Sequence, residues 1–143
     1  MNMKTEVVFW TGSGNTQIMA DAIFEALEDA GCEANINSVS DVTAEDVKDA
    51  DFLFLGCPSM SGENVEEYEF RPFFDDLKPY LKGKPVVMFG SYDWGDGEWM
   101  TTWIEEMEEI EADVRKTIIF QWEPTDEQLI EANEIVTELV KSM

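Results

Sequence analysis

The chain has 143 residues, 44% of them hydrophobic and 12% aromatic, which is enough for one domain with a buried core. No apolar run approaches the ~20 residues of a membrane span. The residues from Met1 to Glu6 lack the basic-then-apolar order of a signal peptide, so we expect a cytoplasmic protein. Cys32 and Cys57 form no CxxC pair and histidine is absent, which argues against a metal site.

Charge is the strongest compositional signal. The chain has 32 acidic and 9 basic residues, a formal net charge of −23 at pH 7. Nucleic acids and anionic membranes are bound mainly through clusters of lysine and arginine, so neither is expected as a partner. Basic proteins are the expected partners. The acidity also fits a role in solubility or in a salty cytoplasm, and the two explanations are compatible.

The first predicted elements are a strand, a tight turn and a helix. Thr5 to Trp10 is a β-branched and aromatic run that predicts a strand. A polar run, Thr11 to Thr16, follows it. Apolar residues then recur at helical spacing as far as Gly31.

The rest of the chain continues the alternation of strands and helices. The predicted elements after Gly31 are a strand at 34–39, a helix at 43–50 capped by Thr43, a strand at 51–55, a loop at 57–68, a helix at 72–81, a strand at 85–89, a glycine-rich loop at 90–97, a helix at 98–110, a strand at 114–122 and a last helix reaching 143. Five strands alternating with five helices predict a single α/β domain, with a doubly wound parallel sheet covered on both faces.

Loops rich in Gly, Ser, Thr and aromatic residues follow the first, third and fourth predicted strands. In open α/β sheets, ligands bind beyond the carboxyl ends of the strands, where the strand order reverses. If the strand order is 2-1-3-4-5, these three loops meet at one crevice. The sequence therefore predicts the ligand site there.

The loop from Thr11 to Thr16 has the composition of an anion site. Its hydroxyl and amide side chains, two glycines and the following helix start would present several donors to one anion. It lacks the lysine of an ATP-binding P-loop, and Gln17 stands where a dinucleotide fingerprint needs glycine. No basic residue lies between Lys4 and Lys48. The alternative is that Asn15 or Thr16 simply caps the helix.

Three segments resemble one family. The run from Thr11 to Thr16, TGSGNT, looks like the phosphate loop of flavodoxins. The segments LGCPSM (55–60) and FGSYDWGDGEWM (89–100) resemble the two flavin-flanking loops of the short-chain, clostridial-type members. The likeness covers nearly the whole chain, and no insertion of about twenty residues interrupts the last strand. The resemblance implies a flavodoxin-like fold and a low-potential electron carrier with non-covalently bound FMN, shuttling between semiquinone and hydroquinone, rather than an enzyme.

The same resemblance assigns roles to individual residues. The FMN phosphate would be bound by Thr11, Gly12, Ser13, Gly14, Asn15 and Thr16, with a further hydroxyl from Ser59 or Ser91. The flavin ring would lie between Met60 on its inner face and Trp94 on its outer face, although either side chain could serve ordinary packing instead. Glu63 would accept a hydrogen bond from flavin N3–H. The backbone from Asp93 to Gly95, which follows Tyr92, would serve the O2 side.

The turn from Met60 to Glu63 is expected to adjust to the redox state. In the family one peptide flips so that its carbonyl accepts a hydrogen bond from protonated flavin N5. Here the carbonyl would be that of Ser61, and Gly62 would occupy the position that needs positive φ. Ser61 and Asp93 both stand where the family commonly has glycine. Asp93 either points to solvent or lies close enough to flavin N1 to disfavour the anionic hydroquinone.

Three other classes of protein are alternatives. A non-flavin acidic interaction module would be colourless on purification, whereas a flavoprotein is yellow. A phosphoacceptor receiver domain shares this topology, but it needs an acidic pair after the first strand and an aspartate after the third. The chain has Trp10-Thr11 and Gly56-Cys57 at those places. A flavin-dependent NAD(P)H reductase needs room for a second planar substrate, which Met60 and Trp94 would fill.

The expected protein is a monomer that exchanges electrons with basic reductases or oxidoreductases. The carboxylates of the 63–69 segment and those around Asp93 and Asp96 are expected to form an acidic surface around the flavin edge.

Overall fold

The computed structural model describes residues 3–60 and 62–143. These residues form one five-stranded parallel sheet with the strand order β2-β1-β3-β4-β5, as predicted. The strands are β1 (Lys4–Phe9), β2 (Glu33–Ser38), β3 (Phe52–Gly56), β4 (Pro85–Tyr92) and β5 (Asp113–Gln121). The helices are α1 (Asn15–Asp29), α2 (Ala44–Val47), α3 (Phe70–Leu77), α4 (Glu98–Glu109) and α5 (Asp126–Lys141), and a 3-10 turn at Lys78–Tyr80 follows α3.

The sheet is covered on both faces, and each face has its own apolar core. One core joins the sheet to α1 and α5, and the other joins it to α2, α3 and α4. The central strand β3 is buried along its whole length, as expected for a parallel strand between two helical layers. Within the described ranges, no helix is both long and apolar enough to cross a membrane.

Helix α3 begins before the predicted position. The expected start at Pro72 was wrong because the helix starts at Phe70, and its last predicted turn is a 3-10 turn. The buried carboxylate of Glu66 accepts hydrogen bonds at 2.7–2.8 Å from the backbone N–H groups of Tyr68, Glu69 and Phe70. These contacts satisfy donors that a helix start leaves free, so the helix begins two residues earlier. Pro72 then lies in the first turn, where it costs no hydrogen bond.

Strand β4 continues three residues past Phe89, so the prediction of a loop from Gly90 was wrong. Its residues 90–92 pair in register with β5, and the loop begins at Asp93. Glycine is required at position 90 because a Cβ there would lie 2.2 Å from the carbonyl oxygen of Cys57. The longer strand brings Ser91 to the edge of the sheet that was predicted to hold the ligand.

The other boundaries agree with the sequence to within a few residues. Thr43 caps α2 through a reciprocal pair of hydrogen bonds with Asp46, as predicted, although the helix ends at Val47 rather than at position 50. Thr125 and Gln128 form the same kind of cap at the start of α5.

Candidate functional site

The three predicted loops lie side by side at the carboxyl edge of β1, β3 and β4. The strand order reverses between β1 and β3, which is where open α/β sheets bind ligands. Hydrogen bonds join the start of a loop to the end of the neighbouring strand: Ser59 donates its N–H to the carbonyl of Ser91 at 3.0 Å, and Trp10 donates its N–H to the carbonyl of Gly56 at 2.9 Å. The crevice is therefore built on adjoining strands of a rigid sheet.

The first loop ends in a helix start without a side-chain cap. Gly14 is the N-cap of α1, with φ +98, and as glycine it has no side chain that could cap the helix. The alternative in which Asn15 or Thr16 caps the helix is therefore wrong. Within the described part of the chain, the N–H groups of Gly12, Ser13 and Thr16 have no acceptor. The loop leaves a cluster of backbone donors available to a bound anion.

The distribution of charge around this loop also favours a bound anion. Residues 7–20 carry no charged side chain, in a chain with a net charge of −23. The first turn of α1 also has no acidic residue, although acids are favoured at that place in helices. The positive end of the helix dipole is therefore not neutralised by the helix itself.

Thr16 and Ser91 connect this loop to β4. Both side chains are buried, and their hydroxyl oxygens lie 3.1 Å apart. Ser91 also donates its N–H to Thr16 Oγ1 at 3.3 Å. The pair fixes the first turn of α1 against the end of β4.

The second loop contains the turn predicted to respond to redox state. Glu63 donates its N–H to the carbonyl of Met60 at 3.1 Å, and Gly62 has φ +87. That φ is the one that the third residue of a type II turn requires. Ser61, whose carbonyl was predicted to accept from flavin N5, lies outside the described residues.

Glu63 connects the second loop to α4. Its Oε2 accepts the N–H of Trp99 at 3.0 Å, in the first turn of that helix. Its Oε1 accepts no hydrogen bond from the described residues. A Cβ at Gly95 would lie 3.0 Å from Oε1, so glycine there leaves space for the carboxylate. One carboxylate oxygen is thus fixed in place while the other is available.

The third loop places Trp94 at the surface, where the residue is 81% exposed. The Trp94 ring contacts Trp122 edge to face, with the ring centroids 5.0 Å apart. Tyr92, at the end of β4, instead packs against the buried Trp99. Trp122 is a neighbour of the site that the sequence did not predict, because nothing in the local pattern brings the end of β5 to the loop after β4.

Acidic residues surround these loops, with one exception. Glu67, Glu69, Asp93 and Asp96 are exposed, as expected. Glu66 was also predicted to contribute to this surface, which was wrong because it is only 4% exposed. Burial alone would raise the pKa of the Glu66 carboxyl, but three backbone donors outweigh it and hold the pKa below its usual range.

Arg71 connects the second loop to α4 through hydrogen bonds. Its guanidinium makes two hydrogen bonds to the Glu106 carboxylate, at 2.7 and 2.8 Å, and a third to Asn64 Oδ1 at 3.0 Å. Asn64 in turn accepts the N–H of Met60 at 3.3 Å. The turn is therefore connected through one arginine to α4.

Cys57 lies at the end of β3 but has no reactive character. It is fully buried, and burial raises the pKa of its thiol to about 12. A thiol is nucleophilic only when it is ionised and accessible. Cys57 therefore packs the base of the crevice.

Comparison with known proteins identifies the family. The flavodoxin family model matches residues 7–134. The chain is 45% identical to a flavodoxin of Megasphaera elsdenii over 114 residues, covering 80% of this chain and 83% of that protein. It is 40% identical to a flavodoxin of Clostridium beijerinckii over 122 residues, covering 85% and 88%.

Solved structures agree with the sequence comparison. The solution structure of two-electron-reduced Megasphaera elsdenii flavodoxin superposes with a TM-score of 0.84 at 40% identity, covering 94% of this chain and 98% of that one. Neither comparison favours the NAD(P)H reductase alternative. The chain belongs to the flavodoxin family, the electron-transfer proteins that carry electrons on FMN.

Proposed function

We propose that the run from Thr11 to Thr16 binds the FMN phosphate, that Met60 and Trp94 cover the two faces of the flavin ring, and that Glu63 accepts a hydrogen bond from flavin N3–H. The observation that carries the proposal is the donor-rich, uncharged loop at the uncapped start of α1. In so acidic a protein, an anion is favoured at few places, and this helix start is one of them.

The residues of the crevice fit the chemical parts of FMN. The free N–H groups of the first loop suit a phosphate, which accepts several hydrogen bonds. Trp94 exposes a large apolar face beside the loops, and the thioether of Met60 is only half-buried, so both suit a flat aromatic ring. The available Oε1 of Glu63 suits an N–H donor. Bound FMN supplies the one-electron redox chemistry.

The protein's own part is to bind, orient and shield the cofactor. The phosphate loop fixes one end of the ligand, and the two stacking side chains exclude water from the ring. Glu63, fixed by the N–H of Trp99, would select the ring edge that carries a donor. The turn at Gly62 would adjust the backbone facing the ring.

Two variants separate the phosphate site from the ring site. Ser13→Pro removes one N–H of the loop and should weaken FMN binding about tenfold or more, while leaving riboflavin, which lacks the phosphate, nearly unaffected. Trp94→Ala should weaken both flavins by similar factors, because both share the ring. Fluorescence titration of the apoprotein measures all four constants. Equal losses for FMN and riboflavin in Ser13→Pro would contradict the assignment of the phosphate loop.

We further propose that the protein acts as a cytoplasmic monomer and exchanges electrons with basic redox proteins, without binding nucleic acid or membranes. The exposed carboxylates of Glu67, Asp93 and Asp96 support this because they surround the proposed flavin edge. Attraction between exposed charges is screened beyond about 8 Å at physiological ionic strength. The rate of reduction by a basic reductase should therefore fall as salt rises. A rate that stays constant from low to high salt would count against acidic steering.

A further inference from the structure

Trp122 has an unusual backbone conformation for an aromatic residue. Its φ is +64, in the left-handed region that bulky side chains rarely adopt. Such strain persists only where the surrounding contacts hold it in place, and it is concentrated at functional sites. Here Trp122 donates its N–H to the carbonyl of Tyr92 at 2.8 Å, and Gln121 donates its side-chain amide to the carbonyl of Asp93 at 2.9 Å. Hydrogen bonds therefore hold the end of β5 to Tyr92, the last residue of β4, and to Asp93, the first residue of the Trp94 loop.

The strained backbone presents the Trp122 ring to Trp94. The two rings meet at 87° with centroids 5.0 Å apart, the edge-to-face arrangement that aromatic pairs favour. Trp122 is 45% exposed, so the ring is not simply part of the core. Among the residues that the structure describes, the ring in contact with it is that of Trp94, which we assign to the outer face of the flavin.

We propose that Trp122 is a positioning residue that holds the Trp94 indole ready for the flavin ring. The inference rests on the proposed function, in which Trp94 covers FMN. The loop around Trp94 contains Gly95 and Gly97, with φ at +90 and +86, and glycine leaves the backbone more conformational freedom than other residues do. An exposed indole on such a loop would lose rotational freedom when it stacks on a ligand. Contact with Trp122 restricts the indole before binding and so reduces that entropic cost.

The first arm of the test is the apoprotein. Two tryptophan rings in close, fixed contact give an exciton couplet in far-ultraviolet circular dichroism. We expect this couplet in the parent protein and its loss in both Trp94→Ala and Trp122→Asn. Asparagine is chosen because it tolerates positive φ, so the substitution removes the ring and keeps the backbone. If no component of the parent spectrum is lost in both variants, the two rings are not in fixed contact in solution and the proposal is overturned.

The second arm is flavin affinity. Trp122→Asn should weaken FMN and riboflavin equally, by about threefold to tenfold, because the lost contact acts on the ring and not on the phosphate. Trp122→Phe, which keeps an aromatic edge, should restore both affinities to within about twofold of the parent. Tyr80→Asn is the matched control: Tyr80 is a surface aromatic residue, 38% exposed, that contacts Glu45 on α2. This control should leave both affinities unchanged.

The outcomes separate this inference from the function on which it rests. If Trp94→Ala weakens flavin binding but Trp122→Asn does not, the positioning role of Trp122 is wrong and the stacking role of Trp94 stands. If Trp94→Ala has no effect, both are wrong. A loss in Trp122→Phe as large as that in Trp122→Asn would also overturn the proposal, since an aromatic edge would then not be what matters.

Discussion

The hydroxyl oxygens of Thr16 and Ser91 lie 3.1 Å apart, buried between the first turn of α1 and the end of β4. The two residues are 75 positions apart in the sequence. Through this contact the proposed phosphate loop is fixed to the strand that leads into the Trp94 loop. The two ends of the proposed FMN site are therefore mechanically connected by a pair of side chains.

Loss of the Ser91 hydroxyl should loosen the phosphate loop. Ser91→Ala leaves the Thr16 hydroxyl with one buried partner fewer, a deficit that typically costs about 1–3 kcal/mol. We expect FMN to bind roughly tenfold more weakly, since about 1.4 kcal/mol corresponds to a factor of ten. Riboflavin should bind nearly as in the parent. Fluorescence titration measures both, with the exposed Ser40→Ala as control; parallel losses for the two flavins would argue against this role.

Gly62→Ala should lower the yield of one-electron-reduced FMN during photoreduction. Gly62 has φ +87, and a Cβ in the left-handed region costs roughly 1 kcal/mol. If the turn stabilises the one-electron state selectively, oxidised FMN affinity should stay nearly unchanged. Gly83→Ala is a matched control, since Gly83 has φ +72 but lies at the far end of β4. An unchanged yield in Gly62→Ala would show that this turn is not the switch.

Glu6→Gln should stabilise the fold at neutral pH. Burial raises the pKa of the Glu6 carboxyl, and Oε2 has no hydrogen-bond partner within the described ranges. Because this pKa is raised in the folded state, the contribution of Glu6 to stability is fully present below the unfolded pKa and is lost as pH rises through the folded pKa. The gain should be about 1 kcal/mol at pH 7 and should shrink toward pH 4. Urea unfolding at both pH values measures it, and a gain no larger than that of the exposed Glu33→Gln would contradict it.

Arg71→Met should destabilise the protein by roughly 1–2 kcal/mol at pH 7, between the values typical of exposed and buried ion pairs. The hydrogen bonds from Arg71 hold the pKa of the Glu106 carboxyl below its usual range. Stability from a lowered carboxyl pKa is present above the unfolded pKa and is lost as pH falls through the folded one. The loss should therefore shrink in acid. Chemical unfolding measures the loss of stability, with Arg115→Met as the comparison because Asp113, the partner of Arg115, is more exposed than Glu106. Equal losses of stability in the two variants would contradict a larger contribution from the Arg71–Glu106 pair.

The sequence predicted the parts of the fold that depend on local patterns. The positions of the strands and of the three loops followed from apolar runs that end in glycine and hydroxyl residues, whereas the strand order came from the resemblance to flavodoxins. The capping role of Thr43 followed from one residue and its immediate neighbours. These features are local, so a short stretch of sequence contains the information that specifies them.

One error came from a local contact, and the others came from contacts between distant segments. The start of α3 depends on the buried carboxylate of Glu66, which sequence alone placed on the acidic surface. The end of β4 depends on its pairing with β5, and the Trp94–Trp122 contact depends on the same register. A carboxylate four residues before the apolar start at Phe70 was a signal that could have indicated the cap. No comparable local signal indicated Trp122.

In the proposed site, a loop of uncharged donors binds the phosphate of FMN without a counter-cation. Titration of the parent apoprotein side by side with FMN and with riboflavin, which differ only in that phosphate, tests this assignment. We expect one FMN per chain, bound at least about a hundredfold more tightly than riboflavin, because charge-assisted hydrogen bonds to several N–H groups are lost together without the phosphate. Equal dissociation constants for the two flavins would contradict it.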